Sequence, residues 1–496
     1  MGDSLDIKTR PGRPIEVAKE PLEISRVMKV PSSSIGSWEL LKTYWDRRKS
    51  SGEMMNKQVL AKKLNTYNYR EVSTACIMKI ARAKLLLQAS LNSDNLYAPD
   101  NVLINYPGLS AEAMEDVELA LLLQASAENV AHREFDCARI LLNMCDCCSP
   151  ETGNPVQRVV FYFAEALKEK IERDTGLLSI GFASENQLDT EKILHAHIQT
   201  LISLQNDLPF SPITRFTGMQ AILDNVASAK KIHLIDLGIQ SGCHWTILLQ
   251  ALAERNDCAV ELLTITSVGT NRSRLEWAGR QLMSFARDKV PFKVAFKVVV
   301  SKIAELRENL FEVESGEKVV VYSNMQLCSL LASQSHLESF LSLIKIINPC
   351  LMVVIEQEVK TSHSTFLDRF NNYLIHTSAV FDCIHSCVAH MSQTREVSEG
   401  ILLGDIIKNI VVTEGEERRY HHESIDFWEA QFARFGLVQA EFSSLSLYQA
   451  SLILKRSPKW MPCTLETKGK CLIINWKGVP VQSFSVWKFQ DVNQVE

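Results

Sequence analysis

Residues 232–242 are the part of the chain best suited to hold a nucleotide-like cofactor. They read Ile-His-Leu-Ile-Asp-Leu-Gly-Ile-Gln-Ser-Gly, so that an apolar run ends at Asp236 and is followed by Gly238 and Gly242. Apolar residues then recur at helical spacing from Trp245 onward. A strand, a tight turn and a helix in this order open a doubly wound α/β domain, whose ligands bind beyond the carboxyl ends of the strands. The segment predicts either an enzyme or a regulator built on an enzyme's scaffold.

Methyl transfer from a nucleoside cofactor needs more than this turn. The backbone must approach the cofactor closely, and a carboxylate at the end of the second strand must hold the ribose hydroxyls. Gln240 places a side chain in the middle of the turn, and the second strand ends at Gly269 without an acid. We therefore predict no bound cofactor and no enzymatic activity. Binding of a small molecule of the S-adenosylmethionine type, or methyl transfer itself, stays open as a weaker alternative.

Side chains that could act in acid–base or nucleophilic catalysis are also poorly placed. His233 and Asp236 lie three residues apart on a strand, so their side chains point to opposite faces. We expect His233 to be hydrogen-bonded within the sheet and Asp236 to accept hydrogen bonds from amides of the turn. Ser241 does not lie in a G-x-S-x-G nucleophile elbow. No catalytic residue is predicted.

Two short groups contain metal-binding residue types. Cys145, Cys147 and Cys148 have no second cysteine pair nearby, and the side chains of His421 and His422 should diverge because they are neighbours in the chain. No metal site is predicted. The 13 cysteines show no framework spacing, which indicates a reducing intracellular compartment.

The composition is that of a globular protein, with 496 residues, 46% hydrophobic and 22% charged, and a formal net charge of −5. Residues 1–70 hold 14 Lys and Arg against 8 Asp and Glu, so the excess of positive charge lies in that segment. The remainder lacks the basic balance of a protein that binds nucleic acid over a wide face. No run approaches the roughly 18 apolar residues that span a bilayer, which argues against a membrane partner.

The chain divides into four predicted regions. Residues 1–56 form a disordered basic arm, 57–109 short helices and a linker, 110–215 a helical cap with a leucine-rich region, and 216–496 an α/β core. Helical periodicity covers 72–90, 117–144 and 155–173. The predicted core strands are 232–236, 261–267, 293–300, 318–323 and 351–357. The predicted core helices are 245–254, 271–287, one around 302–311, and 330–347. The last pieces, 438–455 and 470–489, read as antiparallel strands.

This alternation predicts a mostly parallel, Rossmann-like sheet with helices on both faces. Two leucine groups in the helical segments fit L-x-x-L-L, a pattern of helices that dock into grooves. These candidate interaction residues are Leu119, Leu122, Leu123, Leu327, Leu330 and Leu331. Packing in the core is the more economical interpretation for both groups.

Five motifs in order make the chain resemble the plant GRAS family over roughly residues 110–490. Leucine-rich segments at 117–173 and 327–347 flank a VHIID-like motif, which consists of His233, Asp236, Gly238 and Gly242. A PFYRE-like motif consists of Pro349, Phe366, Arg369, Phe370, Phe381 and Asp382. A SAW-like motif consists of Arg418, Glu423, Trp428, Gly436, Trp476 and Trp487.

The resemblance has departures. His376-Thr377 stands where the family usually has two tyrosines, and Asp405-Ile406 where it usually has Arg-Glu. The core is most similar to the DELLA branch, but the N-terminal arm lacks the DELLA motifs. Large aromatic side chains favour burial, so Trp428, Trp476 and Trp487 are expected in the core. Arg418 and Glu423 are expected to form an ion pair or to cap the helix that carries Trp428.

The resemblance implies a methyltransferase-related Rossmann-like core under a helical cap. It also implies a nuclear transcriptional co-regulator, in which the leucine face of the cap recruits other GRAS proteins as homo- or heterodimers and the α/β core presents a surface to DNA-bound transcription factors. The alternative is a transcription factor that contacts specific DNA sequences directly.

Overall fold

One nine-stranded sheet organises the molecule, in the order β3-β2-β1-β4-β5-β9-β8-β7, with β6 paired to β9. The computed structural model describes residues 72–91, 109–177, 198–255, 257–362, 365–388 and 392–490. The strands are β1 Lys231–Asp236, β2 Leu262–Gly269, β3 Lys293–Val300, β4 Lys318–Asn324, β5 Leu351–Gln357, β6 Leu437–Gln439, β7 Cys463–Lys468, β8 Cys471–Trp476 and β9 Val479–Phe489. Strands β1–β5 run parallel, and β9 joins β5 in the antiparallel sense.

The described residues form fourteen α-helices. They are α1 Thr74–Leu91, α2 Ala111–Ala131, α3 Phe135–Cys148, α4 Pro155–Asp174, α5 Ile198–Asp207, α6 Phe210–Asn225, α7 Trp245–Ala253, α8 Arg272–Lys289, α9 Gln334–Ile347, α10 Phe366–Val388, α11 Ser392–Glu396, α12 Gly404–Val412, α13 Ile425–Ala433 and α14 Ser444–Leu454. A π-helix at Val397–Leu403 joins α11 to α12.

Apolar side chains of the parallel strands are buried on both faces of the sheet. Along β1, Leu234 packs into one hydrophobic core and Ile235 into the other, because successive side chains of a strand point to opposite faces. Burial on both faces is why these strands read as nearly continuous apolar runs. The Rossmann-like α/β fold and all five predicted parallel strands are confirmed.

A third hydrophobic core holds the helical cap together. Helix α2 lies at its centre, with every residue from Leu119 to Val130 buried. The cap core also takes in Ile77–Leu87 of α1 and residues 359–412, which lie after β5. The predicted boundaries at 57–109, 110–215 and 216–496 are therefore incomplete, because distant helices of the chain share one apolar core. The predicted arm, 1–56, lies outside the described residues.

Four predicted elements differ in the structure. The helix predicted over 117–144 is two helices, α2 and α3, separated by a turn in which Arg133 has a φ of 61°. Residues 302–311 form two short 3-10 turns, and a 3-10 helix at Leu327–Ala332 precedes α9. Segment 438–455 is mostly the helix α14, whereas 470–489 is strand as predicted.

The error at 438–455 has a local cause. Ser-Leu-Ser-Leu alternation imitates the two-residue period of a strand. In the structure the Ser443 hydroxyl accepts a hydrogen bond from the Ser446 amide at 3.0 Å and starts the helix. Ser446 and Ala450, one turn apart, are fully buried where α14 packs on α6.

Among the described helices, none has the length and apolar composition needed to cross a lipid bilayer.

Candidate functional site

Asp236 at the end of β1 is used to build the turn that follows it. One carboxylate oxygen accepts from the Gly238 amide at 3.0 Å, and the other accepts from the indole N–H of Trp245 at 2.8 Å. Burial raises the pKa of Asp236 to about 6, although these two hydrogen bonds oppose the rise. The predicted role of Asp236 as an acceptor for turn amides is confirmed.

His233 lies on the opposite face of β1. Its Nε2 is 2.8 Å from the Thr266 hydroxyl on β2, and its Nδ1 is 3.0 Å from a carboxylate oxygen of Glu317. Burial lowers the pKa of His233, and Glu317 opposes that shift. Both ring nitrogens are therefore occupied, one by a strand residue of the sheet, as predicted, and the other by Glu317 just before β4. His233 and Asp236 share no partner in these contacts.

A crevice of about 590 Å³ opens beyond the carboxyl ends of β1 to β4. Gly238, Gln240 and Gly269 line it, whereas Gly242, the other end of the turn named from the sequence, is not among its lining residues. The side chain of Gln326 occupies the space beside Gly238, so that a Cβ built on this glycine would come within 2.4 Å of the Gln326 Cδ. Gln240 is hydrogen-bonded to Gln205 at 2.9 Å. The turn is thus covered by side chains of the protein at the point where a cofactor would approach its backbone.

A second polar group lies beside this crevice, at the ends of β4 and β5. Cys328, Glu356 and His422 are all buried, and their sulfur, oxygen and nitrogen atoms lie within 4.8 Å of one another. Gln326 and Ser329, on either side of Cys328, line the crevice. Sequence reasoning missed this group because its members come from three separate segments. The only signal was the pair of histidines at 421 and 422.

The PFYRE-like residues lie mostly in the cap, and one of them links the cap to the sheet. Arg369 is 1% exposed and donates to the Ile410 carbonyl at 3.0 Å and to Glu414 at 2.5 Å. Asp382 pairs with Lys477 of the β8–β9 turn at 3.2 Å. The four other residues of this set occupy the cap core or the entry to β5: Phe366, Phe370, Phe381 and Pro349.

The SAW-like tryptophans are in the core, as predicted. Trp428, Trp476 and Trp487 are at most 1% exposed. The rings of Trp487 and Phe432 pack edge to face, with their centroids 4.7 Å apart. Gly436 has a φ of +86°, a left-handed conformation that favours glycine.

Two other SAW-like residues were expected to pair or to cap α13. The Ile425 amide at the start of α13 is bound by Glu358 at 2.9 Å, so this cap comes from beyond β5. Arg418 Nη2 lies 3.1 Å from His421 Nδ1. The Arg418–Glu423 ion pair stays a prediction.

A sequence profile of the GRAS domain family matches residues 119–488. The chain belongs to the GRAS domain family. The DELLA protein RGL1 of Arabidopsis thaliana is 31% identical over 384 residues, which cover 77% of this chain and 71% of that protein. The DELLA protein DWARF8 of Zea mays is 29% identical, over 75% of this chain and 61% of its own length. These relatives place the chain in a plant family of transcriptional regulators.

The solved structure of SCL7 from Oryza sativa shows the same GRAS architecture. It superimposes with a TM-score of 0.66 at 26% identity and covers 75% of this chain and 99% of that one. The family and fold predicted from the five motifs are confirmed.

The leucines proposed as a docking surface of this GRAS domain are mostly internal. Leu119, Leu122 and Leu123 are at most 6% exposed within α2, and Leu327 and Leu330 are fully buried in a 3-10 helix. Leu331 is half-buried and packs against the same core. The docking interpretation is corrected accordingly, because side chains on the inner face of the cap and beneath the sheet have no surface to offer a partner.

Helix α14 exposes apolar side chains, in contrast to the elements that carry those mostly buried leucines. Leu445, Tyr448 and Leu452 are 47%, 57% and 44% exposed. Their spacing of three and four residues puts them on one face of the helix. Sequence reasoning missed this face because it assigned the segment to a strand.

Proposed function

We propose that this GRAS protein is a nuclear transcriptional co-regulator. In this proposal it binds other GRAS proteins and DNA-binding transcription factors, and it performs no chemistry itself. The observation that carries the proposal is the exposed apolar face of α14, defined by Leu445, Tyr448 and Leu452. Family membership supports the regulatory role, and the α14 face supports action through protein contacts.

The α14 face has the composition of a contact surface. Three neighbouring large apolar side chains that stay 44–57% exposed leave apolar area in water, whose burial on binding is favourable. Lys455 and Arg456 follow at the end of the helix, and both are exposed. Lys455 is the C-terminal cap of α14, and helical spacing places it on the side of Tyr448. The matching partner is an amphipathic helix with apolar side chains and an acidic end.

The crevice supports the absence of catalysis. Asp236 has both oxygens engaged by Gly238 and Trp245, and Gln326 fills the space next to Gly238. If S-adenosylmethionine bound there, ligand at about 100 times its dissociation constant would stabilise the fold by ~2.7 kcal/mol. We expect no shift in the melting temperature of the purified protein with this ligand. A clear upward shift would instead support the alternative of an S-adenosylmethionine-binding sensor or a methyltransferase.

The test of the α14 face uses two exposed apolar positions. Tyr448→Ser and Leu452→Ser should each leave the melting temperature nearly unchanged, since both side chains are half exposed. Each should weaken binding to GRAS-protein and transcription-factor partners by about tenfold, the effect of ~1.4 kcal/mol. Ile140→Ser on α3, at a position 50% exposed, is the matched control and should bind normally. Normal binding by both α14 variants would reject this surface.

Direct reading of DNA is tested separately. Residues 105–496 are incubated with random duplex DNA at physiological salt, and the bound sequences are determined. The co-regulator proposal expects no enriched motif from folded protein. An enriched motif whose affinity falls steeply with salt would show instead that the chain recognises DNA itself.

A further inference from the structure

His422 has an imidazole ring without hydrogen bonds, although its backbone is held firmly by its neighbours. The residue is 2% exposed, and neither ring nitrogen has a hydrogen-bond partner. The backbone on both sides is held, since the His422 amide donates to the Thr361 hydroxyl at 2.7 Å and the Thr361 amide donates to the His422 carbonyl at 2.8 Å. A buried polar atom without a hydrogen-bond partner is unfavourable, so the two ring nitrogens of His422 are suited to bind a ligand.

Aromatic rings hold the imidazole in place. Tyr373 and Tyr420 stack on His422, with ring centroids 6.3 and 6.4 Å away and interplanar angles of 9° and 14°. These contacts restrict rotation of the imidazole ring out of its plane. A ligand would therefore bind at the edge of the ring, where the two nitrogens lie.

The neighbouring His421 shows the contrast. Its Nε2 is 2.7 Å from the Arg418 carbonyl, and its Nδ1 is 3.1 Å from Arg418 Nη2. Its two nitrogens are thus occupied by one local residue. The two histidines diverge as expected for neighbours, but His422 alone points into the group with Cys328 and Glu356.

That group has the donor atoms of a zinc site. Cys328 Sγ, a Glu356 carboxylate oxygen and a His422 ring nitrogen lie within 4.8 Å of one another, and the three residues are 5%, 2% and 2% exposed. Zinc binds thiolate, carboxylate and imidazole ligands at about 2.0–2.3 Å, and such ligands lie about 3–4 Å apart around a tetrahedral ion. Side-chain movements that shorten the separations from at most 4.8 Å would bring the three atoms to that spacing.

We propose that Cys328, Glu356 and His422 bind one zinc ion. The 3-10 helix after β4, the carboxyl end of β5 and the loop before α13 would then be joined at a single point. The fourth position of a tetrahedral ion is left to water or another small ligand. The site lies beside the crevice, whose lining includes Gln326, Ser329 and Tyr420.

The charges of the group suit a divalent cation. Zinc is bound by a thiolate, a carboxylate and a neutral imidazole, so its binding would displace the thiol and carboxyl protons to solvent. The resulting thiolate and carboxylate would balance the two positive charges of the ion. The Leu327 amide already orients Glu356 from 2.8 Å, as groups around a metal site commonly do.

The deciding experiment uses the full chain and needs no variant for its first step. Protein is treated with a chelator, checked for its fold by circular dichroism and titrated with Co²⁺, which takes zinc sites and gives a thiolate-to-cobalt charge-transfer band. Zinc is then measured by mass spectrometry after dialysis. We expect the band to saturate at one cobalt per chain and to disappear when zinc is added. Folded protein with no band and no bound zinc would overturn the proposal.

Variants then assign the ion to these residues. Cys328→Ala should abolish the charge-transfer band, and His422→Phe, which keeps the ring stack, should weaken binding by on the order of 100-fold or more. Cys471→Ala, at another fully buried cysteine, is the control and should bind as the unchanged protein does. Cys147, Cys148 and Cys243 are exposed, so all three are changed to serine in every protein of this series to remove their own thiolate signal. A band that survives Cys328→Ala or His422→Phe in folded protein would place the metal elsewhere and reject the site.

Discussion

Two buried acids lie at carboxyl ends of parallel strands, and their surroundings differ. Asp236 after β1 is enclosed by the Gly238 amide and the Trp245 indole, which use both of its oxygens. Glu356 at the end of β5 is bound by the Leu327 amide but faces a thiol and an imidazole with no hydrogen-bond partner for either ring nitrogen. The Asp236 site, called the first corner below, has become part of the scaffold. The Glu356 site, called the second corner, retains side-chain atoms that are able to bind a metal ion.

The largest effect should come from opening the first corner. Trp245 is fully buried, so Trp245→Ala should lower the free energy of unfolding by about 3–5 kcal/mol through cavity formation. It also removes a donor from Asp236. Urea denaturation measures the change. Trp245→Phe helps to separate the two contributions, since it keeps a six-membered aromatic ring in the site but removes the N–H together with the rest of the five-membered ring. A loss below about 1 kcal/mol for Trp245→Ala would contradict the view that this corner is structural.

The pH dependence of stability sharpens the comparison at Asp236. Its pKa is raised from 3.8 to about 6 by burial, so the folded state holds this proton more tightly than the unfolded state does. The free energy of unfolding should therefore fall as the pH rises from about 4 to about 6, by about 2 kcal/mol from this group. Denaturation across that range should show this fall in the unchanged protein. In the Asp236→Asn variant this part of the fall should be missing. If the plots of unfolding free energy against pH were parallel for the two proteins, Asp236 would not be the group responsible.

The second corner should respond in the opposite direction. In the presence of a chelator, His422→Phe removes two unpartnered nitrogens and keeps the contacts with Tyr373 and Tyr420. We expect the free energy of unfolding to rise by about 1–2 kcal/mol. Thermal and urea denaturation of both proteins check this. With zinc present, the same variant should be the less stable of the two, and destabilisation under both conditions would remove the contrast between the corners.

The smallest effect concerns the two glycines of the β1 turn. Gly242 has a φ of +69°, so Gly242→Ala should cost about 1–2 kcal/mol in backbone strain. At Gly238 the obstacle is the flexible end of the Gln326 side chain, which can move. Gly238→Ala should therefore be the milder change, by about 1 kcal/mol. Equal melting temperatures for the two variants would argue against this difference.

The sequence was informative where structure is decided locally. Strands β3 and β5 have the predicted bounds because buried parallel strands are unbroken apolar runs. The role of Asp236 also followed from residues within ten positions of it. The identity of α14 did not, because the burial of Ser446 and Ala450 against α6 overrides the alternation of Leu445 and its neighbours.

The cap and the second corner depend on contacts between distant parts of the chain. Helix α1 shares a core with α10 and α12, and no local pattern states that these helices meet. Cys328, Glu356 and His422 come together only after β4, β5 and the loop before α13 have taken their places. A search for closely spaced ligands finds His421 and His422, but it cannot identify which of them faces inward.

The position of β9 has a consequence for shortened gene products. It is the last described strand in chain order, yet it lies inside the sheet and covers the edge of β5. During synthesis that edge, with its unpaired amides and carbonyls, stays open until residues 479–489 have emerged, and open strand edges invite aggregation. A premature stop codon before this strand is therefore expected to yield polypeptide that cellular quality control removes. Such alleles should behave as losses of the protein, not as regulators that lack one contact.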